Sequence, residues 1–461
     1  MVFSSLPFLF FYFPVVLLIY KLSPLKLRNL FLLIASLFFY GWGEPIYITI
    51  MFLSIAVDYT HGILVERWRE DDKKARMAVA SSVFFNLLIL VFFKYYDFHA
   101  ESISAITGIA LPILGIPLPI GISFYTFQTM SYTIDIYRKD APVQKNIVTF
   151  GAFVTLFPQL IAGPIIQYKT VAEQLESRRE DLEKFVSGVQ RFVIGAAKKV
   201  LLANAIGQLW DLSLVRQNLT VTGAWLGLVA YAFQIYFDFS GYSDMAIGLG
   251  RMFGFDFIEN FNYPYISRSV VEFWKRWHIS LTKWFREYVY FPLGGNRVSR
   301  IKWVRNILIV WLLTGIWHGA GWNFLFWGLY YAIFMLTERI FLGKWLEKLP
   351  AVFQHIYALV VVLLGWALFA IEDMGRLGVY LKACFGGAKF FDAATGYYLV
   401  SYLPMLVILT IAATPLGKKL WNRLNENVQS ILTPVLMMLA LVLCTASLVD
   451  ASYNPFLYFR F

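Results

Sequence analysis

Long blocks of apolar residues recur along the whole chain, and they constrain its fold more than any other feature. A helix needs about 20 such residues to cross the roughly 30 Å hydrocarbon core of a bilayer, and several blocks approach that length. The chain is 59% hydrophobic and 15% charged, whereas soluble domains are about 45–50% apolar and about 25% charged. The sequence therefore predicts an all-α polytopic membrane protein.

About eleven blocks are expected to cross the membrane, with re-entrant and interfacial helices beside them. The sequence shows no internal duplication of the kind found in many secondary transporters. It has no low-complexity linker either, so residues 1–461 are predicted to form one transmembrane domain. The candidate spans centre on residues 6–20, 27–42, 45–64, 77–96, 117–137, 147–166, 191–210, 222–238, 304–322, 323–342, 353–371, 398–415 and 430–449.

Lysine and arginine concentrate in alternate loops. Lys21, Lys26 and Arg28 follow the first span, whereas the loop at 97–102 has neither residue type. Because cytoplasmic loops carry the excess of Lys and Arg, the N-terminus and the C-terminal tail are both predicted to lie outside. The net charge of +11 therefore indicates topology and not nucleic-acid binding. The two cysteines are too few for a disulfide scaffold or a cysteine metal site.

Two apolar segments, at 111–124 and 157–165, contain both proline and glycine. Non-helical backbone is tolerated at membrane depth only where protein or a water-filled cavity satisfies its polar groups. Both segments fit re-entrant loops beside a polar tunnel, and both also fit ordinary spans with a kink. The sequence leaves these alternatives open.

The densest functional pattern lies in residues 264–297. On a helical wheel these residues separate into an aromatic arc, which includes His278, and an opposite charged arc. This pattern predicts one basic amphipathic helix lying in the membrane interface, with its cations facing headgroups or the phosphates of an acyl donor. His278 is either catalytic or hydrogen-bonded to a neighbouring span. The aromatic arc consists of Trp274, Trp277, His278, Leu281, Trp284, Phe285 and Tyr288.

A second histidine, His318, lies thirteen residues after Arg305, which anchors the cytoplasmic end of its span. At about 1.5 Å per residue it lies roughly 20 Å deeper, inside the bilayer. An ionisable side chain there faces a cavity by default. Neutral imidazole can take a proton from a hydroxyl nucleophile that attacks a thioester. The alternative is a core histidine. Gly315, Gly319 and Gly321 surround His318, and residues without side chains allow either a substrate or another helix to approach closely.

A third pattern interrupts the apolar run at 233–257 with polar side chains. Such side chains are expected to line a cavity at that depth. They could orient a histidine, bind the acceptor or hold a turn at Gly241. The residues concerned are Asp238, Ser240, Tyr242, Ser243 and Asp244.

Together these patterns resemble the membrane-bound O-acyltransferase superfamily, specifically its bacterial branch of alginate O-acetyltransferase-like proteins. The likeness covers nearly the whole chain and includes TGIWHGAGWNFLFWG at 314–328. His318 matches the intramembrane histidine of that family, and His278 matches its second histidine, or the asparagine that eukaryotic relatives have there. The other matching stretches are residues 121–138, 157–165, 237–254 and 260–297.

The resemblance implies a ring of spans around a central funnel and tunnel in the bacterial cytoplasmic membrane. It implies acetyl-CoA as a donor substrate from the cytoplasm, an acceptor reached from outside, and neither a bound cofactor nor a metal. His318 and His278 are then the expected catalytic histidines. The residues expected to line the tunnel are Asp238, Ser240, Tyr242, Asp244, Trp274, Arg276, Trp277, Trp317 and Asn323.

The resemblance also implies a partner, an extracytoplasmic transferase or esterase-like protein that modifies the polymer. Phe456, Tyr458 and Phe461 form an ending similar to the acyl-accepting C-terminus of a small protein in teichoic acid D-alanylation. We therefore hypothesise that Tyr458 carries the acyl group transiently. The alternative is an aromatic residue at the outer membrane interface.

Three other functions remain open at this level. One is a D-alanyl transferase of the same superfamily, which resembles this chain around the first histidine, although YVYFPLGGNR at 288–297 and TGIWHGAGWNF at 314–324 favour the acetyl branch. Another is a non-enzymatic transporter, for which repeats and paired intramembrane charges would be expected. The third is an assembly scaffold whose aromatic surfaces gather other enzymes. The sequence does not identify the polymer, the acyl group beyond the family or the immediate acceptor.

Overall fold

The computed structural model describes residues 1–216, 218–450 and 457, and these residues contain helices but no β-strand. The predicted all-α class is confirmed. The chain divides into two compact units, one of Met1–Phe192 with Tyr242–Ile258 and the other of Val193–Gly241 with Glu259–Phe461. The single domain predicted for residues 1–461 stays a prediction.

The first unit contains eight complete helices among the described residues, and two long helices pass from one unit into the other. The eight are α1 (Phe8–Leu22), α2 (Leu25–Gly43), α3 (Ile48–Arg67), α4 (Asp72–Thr107), α5 (Ile122–Tyr137), α6 (Ile147–Thr155), α7 (Phe157–Leu160) and α8 (Tyr168–Glu176). The two long helices are α9 (Leu182–Val215) and α10 (Val221–Met252).

The second unit contains nine further α-helices among the described residues, two of which are short and separated by a break at His278. A 3₁₀-helix, Pro264–Ile266, precedes that pair, and a π-helix, Arg286–Tyr290, follows it. The nine α-helices are α11 (Val270–Arg276), α12 (Ile279–Phe285), α13 (Arg300–His318), α14 (Trp322–Leu346), α15 (Ala351–Ala370), α16 (Met374–Cys384), α17 (Ala393–Ala412), α18 (Leu416–Trp421) and α19 (Glu426–Asp450).

Eight helices in the described part of the chain are long and apolar enough to cross a bilayer, namely α2, α3, α4, α9, α14, α15, α17 and α19. This confirms a polytopic membrane protein. The count of about eleven crossings, which rests on block lengths, stays a prediction.

The core of the first unit forms where α3, α4 and α5 pack together. Nearly every side chain of α5 is buried, including its polar residues. The Asp58 carboxylate accepts hydrogen bonds from Ser82 Oγ at 2.6 Å and from Asn86 Nδ2 at 2.9 Å. Buried polar groups in a membrane bundle are normally paired in this way, and these pairs hold α3 and α4 in register.

The two segments rich in proline and glycine adopt different structures. Residues 156–167 are all buried and contain only the short helix α7, so protein surrounds this irregular backbone as the membrane environment requires. Residues 108–120 are not helical, and α5 begins only at Ile122. The alternative of a kinked span is therefore wrong for the segment at 111–124.

Candidate active site

His318 is the last residue of α13, at the turn of a helical hairpin formed with α14. Its imidazole is buried, with its ring centroid 5.0 Å from that of Trp327 and 5.2 Å from that of Phe369, both edge to face. The aromatic rings come from α14 and α15. Three helices thus hold the imidazole in an apolar setting, where electrostatic interactions are strong.

The glycines near His318 serve helix packing. A Cβ atom at Gly315 would lie 2.3 Å from the carbonyl oxygen of Phe324, and one at Gly328 would lie 2.5 Å from that of Trp311. Both distances are too short for any larger residue, so α13 and α14 approach each other backbone to backbone. Of the two interpretations of the glycines near His318, helix approach is the one that the geometry fits at Gly315.

The predicted single amphipathic helix over 264–297 is wrong, because the helix breaks at His278. His278 has a φ of 45° and a ψ of 56°, a left-handed conformation that is uncommon for a residue with a side chain. Residues 260–262, which precede α11 in the chain, form hydrogen bonds with the backbone on both sides of the break. The main-chain carbonyl of Asn260 accepts from the Ile279 N–H at 3.0 Å, and the Asn262 N–H donates to the Arg276 carbonyl at 2.9 Å.

The start of α11 is fixed by two carboxylates. Ser269 accepts a hydrogen bond from the Glu272 N–H, and the Glu272 carboxylate accepts from the Arg268 N–H, as in a capping box. Glu338 of α14 accepts from the N–H groups of Val270 and Val271 at 2.7 and 2.9 Å. These bonds satisfy the free donors of the helix end and hold α11 on α14.

The surroundings of His278 define its tautomer. The Oδ1 atom of Asn260 accepts from the Ser280 N–H at 3.1 Å and from the Ser280 hydroxyl at 2.9 Å, and it lies 3.2 Å from Nδ1 of His278. Because Oδ1 can only accept, Nδ1 of His278 carries the proton. No hydrogen-bond partner for the buried Nε2 atom occurs among the described residues, so its lone pair is available.

Residues 270–290 lie outside the eight candidate spans. Burial lowers the pKa of the His278 imidazole to about 3, because the charged form would lose its hydration. The ring is therefore neutral at physiological pH. Neutral imidazole with a free lone pair can accept a proton or a hydrogen bond.

Aromatic contacts connect the two histidines. The ring centroid of His278 lies 4.7 Å from that of Phe239 and 6.0 Å from that of Trp317, which directly precedes His318. Phe239 follows Asp238 on α10. The second unit thus brings His278, Trp317 and His318 into one cluster, which the sequence could suggest only through the residue types.

Three other predicted tunnel residues have structural partners. Trp274 and Trp277 are buried, and Trp274 contacts Trp311 at 4.9 Å between ring centroids. The Arg276 guanidinium lies 2.9 Å from the carboxylate of Glu272. Trp274 and Trp277 therefore help to fix α11, and Arg276 is engaged in an ion pair within that helix.

Asn323 is buried at the first turn of α14, where its Nδ2 atom reaches the main-chain carbonyl of Phe369 at 3.3 Å. Carbonyls at the end of a helix lack partners within the helix. Asn323 thus joins the start of α14 to the end of α15, next to the aromatic rings around His318.

Asp238 lies in a buried ion pair with Lys199 of α9, and both side chains are almost fully buried. The Asp238 carboxylate also accepts a hydrogen bond from the main-chain N–H of Leu457 at 2.9 Å. The sequence analysis missed Lys199, although a lysine inside an apolar span is a signal that could have pointed to it. Ser240 is buried two residues further along α10.

Tyr242 and Asp244 belong to the first unit. The Tyr242 ring stacks on Phe3 with centroids 4.6 Å apart, and the Asp244 carboxylate pairs with Arg191 at 2.7 Å. Arg191 was also missed. The polar pattern at 233–257 therefore does not form one cluster within a single unit.

The tail prediction falls mostly outside the described residues. Phe456, Tyr458 and Phe461 lie outside them, and Leu457 is the described residue of that motif. Its bond to Asp238 places one backbone amide of the tail within the second unit, one residue before Tyr458 in the chain. The described residues contain no group of three or more His, Cys, Asp or Glu side chains that could hold a metal ion.

Comparison with known proteins adds four findings. Residues 37–371 match the model of the MBOAT, membrane-bound O-acyltransferase family. The chain is 36% identical to a probable alginate O-acetylase of Azotobacter vinelandii, over the full length of both. It is 32% identical to a peptidoglycan O-acetyltransferase of Helicobacter pylori, over 84% of this chain and 80% of that one. A teichoic acid D-alanyltransferase of Bacillus subtilis is 28% identical over 50% of this chain and 60% of its own.

Proposed function

Because the chain belongs to the membrane-bound O-acyltransferase family, we propose that this acyltransferase takes acetyl groups from cytoplasmic acetyl-CoA for the O-acetylation of an extracytoplasmic polysaccharide. The names of the relatives from Azotobacter vinelandii and Helicobacter pylori support acetyl as the acyl group and a polysaccharide as the acceptor. The location in this proposal is the bacterial cytoplasmic membrane, where donor and acceptor lie on opposite sides.

The observation that carries this proposal is the buried imidazole of His318 at the α13–α14 hairpin. In the proposed reaction His318 takes the proton of a hydroxyl nucleophile while the oxygen attacks the thioester carbonyl carbon. The carbon–sulfur bond then breaks, and coenzyme A leaves as the thiol after receiving that proton. The apolar rings around the imidazole limit competing hydrolysis by excluding water.

His278 is proposed to assist as a neutral hydrogen-bond acceptor. Its Nδ1 proton is held by Asn260, and the buried Nε2 atom, which keeps its lone pair, has no hydrogen-bond partner among the described residues. A second neutral imidazole can orient the nucleophile or relay its proton. Asn260 acts through His278 and is a positioning residue in this scheme.

The nucleophile in our proposal is the phenol of Tyr458. The hydrogen bond of Leu457 to Asp238 supports this assignment, because Phe239, the neighbour of Asp238 in the chain, contacts His278. The acyl-tyrosine would split one difficult transfer into two easier steps. In the second step an extracytoplasmic partner protein would accept the acyl group, and the tyrosine would recover its phenol.

Reconstitution in proteoliposomes tests the proposal. With labelled acetyl-CoA added on the cytoplasmic side, we expect thioester cleavage that falls about 10²–10⁴-fold in the His318→Gln variant, the usual contribution of a general base. The exposed His99 provides a matched control, and His99→Gln should retain cleavage. Cleavage by His318→Gln at the wild-type rate would contradict catalysis and favour a transport function.

A parallel assay distinguishes the acyl group. Supplying a D-alanyl carrier protein in place of acetyl-CoA tests the function named for the Bacillus subtilis relative. We expect no transfer from that donor. Transfer from the carrier protein alone would replace the acetyl proposal with D-alanylation.

A further inference from the structure

Helix α4 is much longer than a membrane crossing. At about 1.5 Å per residue its 36 residues extend over about 54 Å, whereas the hydrocarbon core is about 30 Å thick. The excess lies at its C-terminal end. Tyr47, directly before α3, contacts Phe93 with ring centroids 5.7 Å apart, and the Lys94 ammonium lies 3.4 Å from Ser123 at the start of α5.

Helices α3 and α5, which pack on α4, thus both begin beside Phe93 and Lys94. The following residues, 95–107, continue the helix for about 20 Å beyond these two residues. The opposite end of α4 adjoins the basic stretch at 67–76, which marks the cytoplasmic side. The projecting end therefore points away from the cytoplasm.

The chain after α4 folds back along this projection. Gly108, with a φ of 73°, ends the helix and reverses the chain. The Ser104 hydroxyl accepts from the Leu111 N–H at 3.0 Å, and the Asp97 carboxylate accepts from the N–H groups of Leu114 and Gly115 at 2.8 and 3.0 Å. Side chains thus anchor an extended segment that has no helical bonds. We call residues 95–120 the apolar hairpin.

The outer surface of the apolar hairpin is strongly apolar. Ile106 is 81% exposed and Ile109 is 63% exposed. Contiguous exposed apolar surface of this kind marks a site of protein or membrane interaction. The other exposed apolar side chains of the hairpin are Ile103, Leu111, Ile113, Leu114 and Ile116.

Two observations separate the possible occupants. The headgroup layer adds only about 5–7 Å on each side of the hydrocarbon, and the hairpin projects roughly three times as far. The stretch from 95 to 137 has no Lys or Arg, and Glu101 is an exposed carboxylate of the hairpin, whereas the half-buried Asp97 is held by the N–H groups of Leu114 and Gly115. Segments that bind membrane surfaces are rich in Lys and Arg on their polar face, so an acidic hairpin is unsuited to anionic lipid.

We propose that the apolar hairpin is a docking site for a folded extracytoplasmic protein domain that presents an apolar groove edged by basic residues. This goes beyond the proposed acyl transfer, because the hairpin would recruit a partner and take no part in the chemistry. Binding buries Ile106 and Ile109 and pairs the exposed Glu101 with the basic edge of the groove.

Fluorescence quenching in lipid nanodiscs tests the position of the hairpin. A bimane label is attached to Ile106→Cys, with Phe84→Cys as the matched control, since Phe84 is exposed on the same helix twelve residues after its start. We expect aqueous iodide to quench the Ile106→Cys label and nitroxide lipids to quench the Phe84→Cys label. Quenching of both labels by nitroxide lipids would overturn the proposal, because the hairpin would then lie in the membrane.

Photocrosslinking tests the occupant. With p-benzoylphenylalanine in place of Ile106 in growing cells, we expect one protein adduct, which disappears when Ile113→Asp is added. The purified partner should bind wild-type nanodiscs at least tenfold more tightly than nanodiscs with Ile113→Asp. Adducts with lipid, or equal binding by both proteins, would refute docking. Thioester cleavage should be unchanged in Ile113→Asp, so failure of the acyl-transfer proposal would be recognised separately.

Discussion

The Nδ1 atom of His278 lies 3.2 Å from the Oδ1 atom of Asn260, and this contact determines which nitrogen of the imidazole carries the proton. The two residues come together because the helix breaks at His278 and the segment at 260–262 fills the gap. The orientation of a buried histidine is thus set by an amide eighteen residues earlier in the chain.

The first prediction concerns Asn260→Asp. A carboxylate beside Nδ1 favours the imidazolium and raises the pKa of His278. The acidic limb of the plot of kcat/KM against pH should therefore move to higher pH by about one unit or more. The exposed Asn262 bonds through its main chain, so Asn262→Asp is the matched control and should leave the profile unchanged. An identical profile for wild type and Asn260→Asp would show that Asn260 does not position the histidine.

The second prediction concerns the buried pair of Lys199 and Asp238. Asp238→Asn leaves the Lys199 ammonium buried beside a neutral side chain and should lower the free energy of unfolding by about 3–5 kcal/mol. Adding Lys199→Met should restore much of that loss. Thermal unfolding in detergent measures both variants, and equal Tm values for the single and the double variant would contradict the importance of the pair.

Tyr458→Phe gives the third prediction. Removing the phenol oxygen should abolish acylation of the C-terminal peptide and lower transfer to the acceptor at least 100-fold, with Tm unchanged. Mass spectrometry after incubation with labelled acetyl-CoA, in the absence of acceptor, detects the acyl group. Tyr397, which is exposed on α17, provides the control Tyr397→Phe. Undiminished transfer by Tyr458→Phe would eliminate the acyl-tyrosine.

The fourth prediction concerns pH and Glu180. Burial opposes ionisation of this carboxyl, but hydrogen bonds from Tyr20 and Lys21 and the charge of Arg28 outweigh it and lower the pKa of Glu180. Its stabilising contribution is therefore complete above the ordinary glutamate pKa of about 4.3 and is lost as the pH falls through the lowered value.

Glu180→Gln should accordingly have a lower Tm than wild type at pH 7, and the difference should shrink as the pH falls below about 4. Unfolding curves over that range check the expectation. Glu70 is exposed, so Glu70→Gln serves as the control. A difference in Tm that stays constant with pH would mean that the ionised form of Glu180 does not stabilise the fold.

The fifth prediction concerns the hairpin that holds His318. Gly328→Ala places a methyl group 2.5 Å from the Trp311 carbonyl oxygen and should destabilise the protein by about 1–3 kcal/mol through overpacking. It should also reduce thioester cleavage, because α14 carries Trp327. Gly378 has open space around its Cβ position, so Gly378→Ala should cost nothing. Equal Tm values for the two variants would argue against a tight α13–α14 contact.

The sequence alone predicted the features that depend on local composition. Apolar blocks predicted an all-helical membrane protein because each block must satisfy its own backbone within the bilayer. The same reasoning predicted that His318 lies deep in a span, which stays a prediction because α13 is not among the eight candidate spans. Helical angles grouped His278 with aromatic residues, and these are buried. The expected count of crossings and the roles of the site residues stay predictions.

Only the tertiary structure decided which groups meet. Two contacts join residues that are far apart in the chain. The amide of Asn260 holds the ring of His278 at the helix break, and Lys199 pairs with Asp238. The bond from Leu457 to Asp238 joins residues 219 positions apart. Hydrophobic periodicity reports only which face of a helix is buried. Which donor reaches which acceptor depends on how separate helices pack, and no local pattern contains that information.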